Sequence, residues 1–466
     1  MRKLFCILAA AAVLGSCSPK VPDSFTEKAE LPYIYPDYAG VTVPCNIAPL
    51  NFKTDGNCVA VVTSANGDKI VCGKGCETDI PVEAWSNILS ASVGDSIRFD
   101  VFGQESSGWV KYKPFYVHVA DSRIDDYVSY RLIEPVYSVY GDMCISQRNI
   151  SGFGSRIIYS TSKVKNQCVN CHSFQNYGTR NMLFHKRANQ GGTVFVMDGK
   201  QTTVNLKRDN TISAGVYPSW HPASNLVAFS TNTTRQLFQT KDINKVEVYD
   251  IASDLVLYDV EGDKVSPITA TRYELETFPT WSPDGNTLYY CSAIVSDSTF
   301  DGELVRDYKS IRYNIMKRSF DMQSRTFGEP ELVYDAASQG KSCSLPRISP
   351  DGGRMIFAEG AYGSFHIWHY DSDVRIMNLA SGELDNLSGI NSPKYADSYP
   401  SFSSNGQWIM LASRRVDGNY SRIYIAYVGG NTACKPFMLP QKSPVEDVLL
   451  MKSYNRPEFT REPVDM

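Results

Sequence analysis

The stretch Phe278-Pro279-Thr280-Trp281-Ser282-Pro283-Asp284-Gly285 returns in altered form along the chain and decides the fold. Each copy places a proline two positions before a large apolar residue. A polar turn follows, and then a run of β-branched or aromatic residues that is typical of a strand. The other copies are Tyr217-Pro218-Ser219-Trp220, Leu345-Pro346-Arg347-Ile348, Tyr399-Pro400-Ser401-Phe402 and the truncated Arg456-Pro457-Glu458-Phe459.

Each full copy begins a unit of four short strands. The third and fourth strands of one unit, for example, turn at Glu261-Gly262-Asp263. The apolar anchors of successive units lie between 46 and 67 residues apart, and they are Phe174, Trp220, Trp281, Ile348, Phe402 and Phe459. Four short strands at such a period predict an all-β chain with a β-propeller. The count favours six blades and leaves seven open.

The last repeat, around Phe459, has no room for outer strands of its own. An open blade would leave an unpaired strand edge exposed. We therefore expect the ring to close through residues near Ile150 to Tyr159, whose sequence resembles part of a repeat.

The Ser-Pro-Asp-Gly turns at residues 282–285 and 349–352 resemble the propeller repeats of TolB, and the resemblance covers about two-thirds of the chain. It implies a propeller fold and says little about function. Relatives of prolyl oligopeptidase share such repeats. This sequence has no Gly-x-Ser-x-Gly elbow and no following α/β domain, so we expect no hydrolase or peptidase activity.

A second motif, Cys168-Val169-Asn170-Cys171-His172, occupies the first full repeat. Two cysteines three positions apart, followed directly by histidine, are the attachment pattern of c-type haem. The two thiols bond to the haem vinyl groups, and His172 becomes the proximal iron ligand. The motif predicts one covalent haem c. A redox dithiol, a disulfide between Cys168 and Cys171, and half of a zinc site are the alternatives.

Aligning Phe174 with Trp220 places His172 where the other copies have proline. In such repeats this segment is the innermost strand. We name the side of the propeller where these strands begin the entry face, and we expect the haem there, at the mouth of the central channel. Three long insertions, at residues 231–253, 293–311 and 359–373, should lie on the same face, which suggests a binding surface.

The sixth iron ligand, if the chain supplies it, is expected to be His185. We expect His185 to end the second strand of the haem repeat, on the entry face beside His172. Water or a tyrosine is the alternative. The less favoured candidates are Met182, His221, His366 and His369.

The start of the chain resembles a bacterial lipoprotein signal. Met1-Arg2-Lys3 is basic, an apolar run of 11 residues follows, and Leu14-Gly15-Ser16-Cys17 resembles a lipobox with Cys17 as the lipidated residue. An ordinary signal peptide is the alternative. We expect a periplasm-facing envelope lipoprotein held to the membrane only by its lipid, and Ser18 favours the outer over the inner membrane. Export also fits haem c, which is attached outside the cytoplasm.

The predicted domains follow from these patterns. Residues 1–17 form the signal and lipobox, 18–40 a tether, 41–144 a small β-sandwich-like domain, and 145–466 the propeller. The sandwich should contain a hairpin turning at Asn66-Gly67 and a short helix after Asp79 that buries Trp85. Its sequence carries no recognisable chemistry.

Composition limits the partners. Removal of Arg2 and Lys3 with the leader leaves 44 Lys and Arg against 50 Asp and Glu, a net charge of −6. This excess of acid gives no support for nucleic acid as a partner. Eight cysteines outside the leader, lipobox and haem motif could form disulfides after export, but their connectivity is open.

Three functions fit the sequence. The first is electron transfer through the haem with a redox partner protein at the entry face. The second is a haem-dependent redox enzyme in which a small molecule reaches an open iron position. The third is a propeller binding or scaffold module without haem, with a disulfide between Cys168 and Cys171.

Overall fold

The computed structural model describes residues 19–134, 142–295, 307–385, 387, 389–429 and 433–466. The predicted signal and lipobox, with Cys17, lie outside the described residues. The described chain is nearly all β and contains a six-bladed β-propeller, so the predicted fold class is confirmed. Within these residues no helix is long and apolar enough to cross a membrane.

The N-terminal domain is built on one seven-stranded sheet with a helix against it. Its elements are β1 (Thr26–Glu27), β2 (Thr42–Val43), β3 (Cys58–Thr63), β4 (Lys69–Cys72), α1 (Val82–Ser90), β5 (Ser96–Glu105), β6 (Gly108–Lys111) and β7 (Phe115–Val119). Strands β3 and β4 form the hairpin at Asn66-Gly67. Helix α1 begins after Pro81 and buries Trp85, as its apolar spacing predicts.

Five blades follow one another along the chain, each counted from the channel outward. Blade 2 contains β11 (Gln167–Phe174), β12 (Asn181–Ala188), β13 (Gly192–Met197) and β14 (Lys200–Val204). Blade 3 contains β15 (Val216–Trp220), β16 (Leu226–Phe238), β17 (Val246–Asp259) and β18 (Lys264–Pro267). Blade 4 contains β19 (Glu274–Trp281), β20 (Thr287–Ile294), β21 (Asn314–Asp321), β22 (Thr326–Phe327) and β23 (Glu331–Tyr334). Blade 5 contains β24 (Ser342–Ile348), β25 (Arg354–Gly360) and β26 (Asp373–Asn378), and blade 6 contains β27 (Asp397–Phe402), β28 (Trp408–Ser413), β29 (Arg422–Tyr427) and β30 (Phe437–Met438).

Blade 1 joins the two ends of the propeller. Its outer strands are β8 (Tyr127–Ile133), β9 (Cys144–Asn149) and β10 (Ser155–Ser160), and its innermost strand is β31 (Ser453–Thr460). The ring thus closes through the last repeat, with β10 in the segment that the sequence pointed to. The strand that pairs with β31 is β8, which lies before the boundary drawn at residue 145. No proline-anchor motif marks β8, because the motif of this blade is carried by β31.

Short helices occur between the strands. They are α2 (Glu446–Leu450), just before β31, and the 3₁₀ helices at Tyr308–Ser310, Ala337–Gln339 and His366–Trp368.

The N-terminal domain shares its core with blade 6. Trp85 and Phe99 belong to the same buried cluster as Trp408, Ile425 and Phe437. Polar contacts join the two parts as well, since the Asn51 side chain donates to the carbonyl of Lys442 at 3.0 Å. The domain is therefore packed against the propeller by a continuous apolar core.

Candidate functional site

All six innermost strands carry the same β-bulge. In each strand the pairing register shifts by one residue at the repeat motif. The residue before the proline position has a left-handed backbone in every blade, with φ between 48° and 56°. These residues are Cys171, Tyr217, Phe278, Leu345, Tyr399 and Arg456. A non-glycine residue in this conformation costs roughly 1–2 kcal/mol, so the surrounding sheet must hold it in place.

The residue after each left-handed position lines the channel, and in five blades it is proline. Proline suits the bulge because a bulged residue has no ladder bond to donate. In blade 2 the same position is His172, as the repeat alignment predicted. One ionisable ring therefore replaces one of six prolines around the channel.

His172 is completely buried, with an exposed fraction of 0%. Neither of its ring nitrogens has a hydrogen-bond partner. Burial lowers the pKa of His172 to about 4, so the imidazole is neutral at ordinary pH. A buried imidazole without partners is costly unless a ligand satisfies it, and a neutral ring nitrogen is a good donor to a metal.

The two motif cysteines lie beside His172, and both are free thiols. Cys171 is buried at the left-handed position, and Cys168 is half-buried, three residues closer to the entry face. The Asn170 side chain donates to Cys168 Sγ at 3.2 Å. Burial raises the pKa of Cys168, and the nearby cations Arg131 and Arg187 oppose the increase.

A cavity of about 440 Å³ occupies the channel mouth on the entry face. Cys168, Cys171, His172 and His185 all line it, so the structure brings the four predicted haem residues to one space. Cofactor sites in proteins typically enclose 300–1,000 Å³. The volume and the unpartnered imidazole both fit a large, flat group bound through one nitrogen and two sulfurs.

His185 lies on β12, directly opposite Asn170 of β11. The strand continues to Ala188, so His185 sits three residues before its end rather than at the end. Its Nδ1 is 3.1 Å from the Thr193 hydroxyl, and burial lowers its pKa to about 4. The second ring nitrogen is the one left to face a ligand in the cavity.

The other three candidate histidines do not line the cavity. His221 Nε2 is 3.2 Å from the Gly285 carbonyl, at the end of β15 away from the entry face. His366 Nδ1 is 2.8 Å from the Ser344 hydroxyl, and His369 Nε2 is 2.7 Å from a Glu247 carboxylate oxygen. Met182 is fully buried in a core cluster of blades 1 and 2.

A roof covers part of the cavity. It consists of the long hairpin of β16 and β17 from blade 3, which reaches the 3₁₀ helix of blade 5. The buried pair of Glu247 and His369 fastens them together, and Asn244 adds a bond to the Tyr362 hydroxyl at 3.2 Å. Polar residues at every second position of β16 face the cavity: Asn232, Thr234 and Gln236.

The channel below the cavity is plugged by charged side chains. Glu458, carried by β31, accepts from Arg347 at 2.8 Å and lies 3.4 Å from Arg456. Burial alone would raise the pKa of Glu458, but the two arginines and His172 bring it below its usual value. The carboxylate is therefore ionised beneath the imidazole of His172.

No cluster of three or more His, Cys, Asp or Glu side chains with metal-site geometry occurs among the described residues. A haem needs no such cluster, because its porphyrin supplies four ligands and the protein one or two. The donor set of two thiols and one neutral imidazole thus fits haem c better than a bare ion.

Comparison with known proteins defines the class of protein as a β-propeller and goes no further. No protein-family profile and no curated protein matches the sequence. Similar solved structures include an oligogalacturonate lyase in complex with manganese, with 14% identity, a TM-score of 0.32, and 72% of this chain and 86% of that chain covered. A candidate 6-phosphogluconolactonase of Bacteroides fragilis has 8% identity, a TM-score of 0.36 and coverages of 73% and 97%. The tricorn protease has 13% identity, a TM-score of 0.36 and coverages of 74% and 34%.

These similarities carry no argument about activity at such identities and TM-scores. This chain spans about a third of the tricorn protease chain that it matches.

Several residues of the site have no signal in the sequence. The left-handed positions hold cysteine, tyrosine, phenylalanine, leucine and arginine rather than glycine, so composition does not reveal them. The roof pair of Glu247 and His369 joins residues 122 positions apart. Only the recurrence of the motif itself could have suggested that the six positions share one conformation.

Proposed function

We propose that the chain is a c-type haem protein whose single haem is bound covalently at the mouth of the propeller channel, and that its task is redox. The observation that carries the proposal is His172. It replaces a repeated proline, is fully buried with both nitrogens unpartnered, and lines one cavity with Cys168 and Cys171. A histidine serving only as a core residue would be expected to have hydrogen-bond partners.

The roles of the residues follow from their positions. Cys168 and Cys171 would hold the haem through thioether bonds, and His172 would supply the proximal nitrogen. Haem supplies a one-electron couple when it is bound. His185 would be the second axial ligand, with Thr193 fixing its Nδ1 and so orienting the ring.

The place of work that we propose is the cell envelope. The N-terminal sequence of a lipoprotein, with Cys17 as the lipidated residue, fits a haem that is attached outside the cytoplasm. The resemblance of the repeats to those of TolB, a protein of the same compartment, agrees with this location. The outer membrane is favoured, with the lipid as the sole anchor.

The decisive test is haem content. The protein would be produced in cells with a c-type haem maturation system, and covalent haem would be measured by pyridine haemochrome spectra and intact mass. We expect one haem per chain. Cys291→Ser serves as a control, because Cys291 is a buried cysteine of blade 4 outside the motif. Wild-type protein without haem would contradict the proposal and favour the binding module.

Electron transfer and ligand-binding enzyme are separated by the sixth position. If His185 binds the iron, the ferrous protein should react slowly with carbon monoxide. Rapid binding of carbon monoxide by the wild type would show an open position and favour the haem-dependent enzyme.

A further inference from the structure

The charge of the chain is unevenly distributed. Residues 143–197, which carry the haem motif at their centre, contain seven Lys and Arg and no Asp or Glu. The whole chain has a net charge of −4, so the residues outside this segment have a net charge of −11. A segment of +7 inside an acidic protein is a strong local asymmetry.

The structure collects four of the seven cations on the entry face of blade 2. Lys163 and Lys165 lie in the loop that leads into β11, and Lys186 and Arg187 lie near the end of β12. Arg187 pairs directly with Cys168 across the two strands. We call these four residues the cationic patch, and it borders the cavity at the haem attachment strand.

The patch has no internal counter-charge. Lys163, Lys165 and Arg187 are exposed and Lys186 is half-buried. None of the four forms an ion pair within the described part of the chain. At the other end of β12, by contrast, Arg180 is 2.6 Å from Asp198. Neighbouring like charges repel one another, so an unneutralised group of them is a cost that a binding partner would remove.

The carboxylates of the haem itself cannot neutralise the patch. The vinyl groups and the propionate groups of haem lie on opposite edges of the porphyrin. Thioether bonds to Cys168 and Cys171 therefore direct the propionates away from blade 2, across the channel. This step rests on the proposed function.

We propose that the cationic patch is a docking surface for an acidic protein that exchanges single electrons with the haem. The charges lie outside the cavity, along a loop and a strand end, which suits a macromolecule better than a small anion. They surround the edge of the haem that is bonded to Cys168, the edge nearest to solvent. Opposite charge raises the rate of encounter and orients the partner. One electron passes between the partner's redox group and the iron, and no bond forms or breaks.

The experiment compares Lys163→Glu/Lys165→Glu/Arg187→Glu with Lys200→Glu. Lys200 is an exposed lysine at the start of β14, in the same blade but at the opposite end. A reduced plant-type ferredoxin, a small acidic carrier, would serve as the probe protein, with reduction of the haem followed by stopped-flow absorbance at low and high salt. The double variant Lys163→Glu/Lys165→Glu keeps Arg187, which borders the cavity, in case the triple variant folds or loads haem poorly.

At low salt the triple variant should react at least about tenfold more slowly than wild type, and high salt should remove most of the difference. Lys200→Glu should behave as wild type. Equal rates and equal salt dependence in all the proteins would overturn the proposal. Loss of binding to anionic phosphatidylglycerol vesicles, with unchanged ferredoxin kinetics, would assign the patch to a membrane surface and overturn it as well.

Haem content is measured on every sample, so failure of the proposed function is distinguishable. Binding of polyglutamate, measured by titration calorimetry, reads the patch even in protein that holds no haem. Polyglutamate binding that is weakened in the triple variant but not in Lys200→Glu supports the surface. Equal polyglutamate binding in all the variants counts against it.

Discussion

Blade 2 and the other five blades have the same backbone at the channel and different chemistry. The bulge, the left-handed residue and the channel-lining position recur in all six innermost strands. Five blades use proline at the channel, which forms no side-chain hydrogen bond and only fills space. Blade 2 places Cys171 at the left-handed position and His172 at the channel, with Cys168 one turn of the strand earlier.

The difference shows how a repeat fold can acquire a site without a new element. The sheet already holds the left-handed residue, so its side chain is fixed in direction by interactions that all the blades share. Replacing a proline there adds a ligand without disturbing the ladder, because proline had no ladder bond to lose. The scaffold and the site can then be tested separately.

The largest effect should follow from returning blade 2 to the pattern of its neighbours. His172→Pro should fold like wild type, since five blades carry proline at this bulge, yet it should lose the native haem spectrum. Cys168→Ala/Cys171→Ala should lose all covalent haem. Visible spectra and intact mass measure the result. If His172→Pro kept the wild-type spectrum, His172 would not be the iron ligand.

A large loss of stability is expected from removing the strand that closes the ring. Truncation after Ser443 deletes β31 with buried Tyr454 and Phe459, and it leaves Arg347 without its carboxylate partner Glu458. The free energy of unfolding should fall by more than about 5 kcal/mol. Urea denaturation measures it, and deletion of the mostly exposed residues 19–24 is the control. Equal midpoints in the two truncated proteins would show that the closing strand contributes little.

A smaller effect concerns pH, in protein produced without haem. Burial lowers the pKa of His172 to about 4 in the folded chain, against an ordinary value of 6.5, so the unfolded chain takes up the proton first as pH falls. The free energy of unfolding should therefore decrease between pH 6.5 and about 4, by roughly 3 kcal/mol for this residue.

His172→Pro lacks that contribution, and urea denaturation of the two proteins across this range measures the difference. Burial raises the pKa of Asp250 to about 6, which has the opposite sign, but Asp250 is present in both proteins and cancels. Parallel stability profiles would mean that His172 is not buried as a neutral ring.

The smallest effect should come from His185→Ala. Haem content should be unchanged because the attachment residues remain, while a low-spin ferric spectrum should become high-spin as the second nitrogen ligand is lost. Visible and electron paramagnetic resonance spectra report the change. His221→Ala is a control, because His221 lies away from the cavity. A spectrum that is high-spin already in wild type would rule His185 out as a ligand.

Sequence reasoning recovered the features that repeat locally. The motif around Trp281 recurs at regular intervals, so its strands and the six blades could be counted from one chain. The helix that buries Trp85 and the hairpin at Asn66-Gly67 also followed from short-range patterns. The place of β8 could not be predicted in the same way, because its partner β31 lies more than 300 residues later and only pairing reveals the blade.

The sequence by itself determined that this protein is a repeat of β-strands, and that one repeat carries the spacing of two cysteines and a histidine on which the haem proposal rests. Both are matters of spacing along the chain, which local hydrogen bonding and covalent chemistry require. Only the tertiary structure decided that His172 is buried without partners, that Glu247 and His369 fasten a roof over the cavity, and that four cations gather beside Cys168. Burial, long-range contacts and electrostatic surroundings depend on which distant segments pack together, and the closed ring sets that packing.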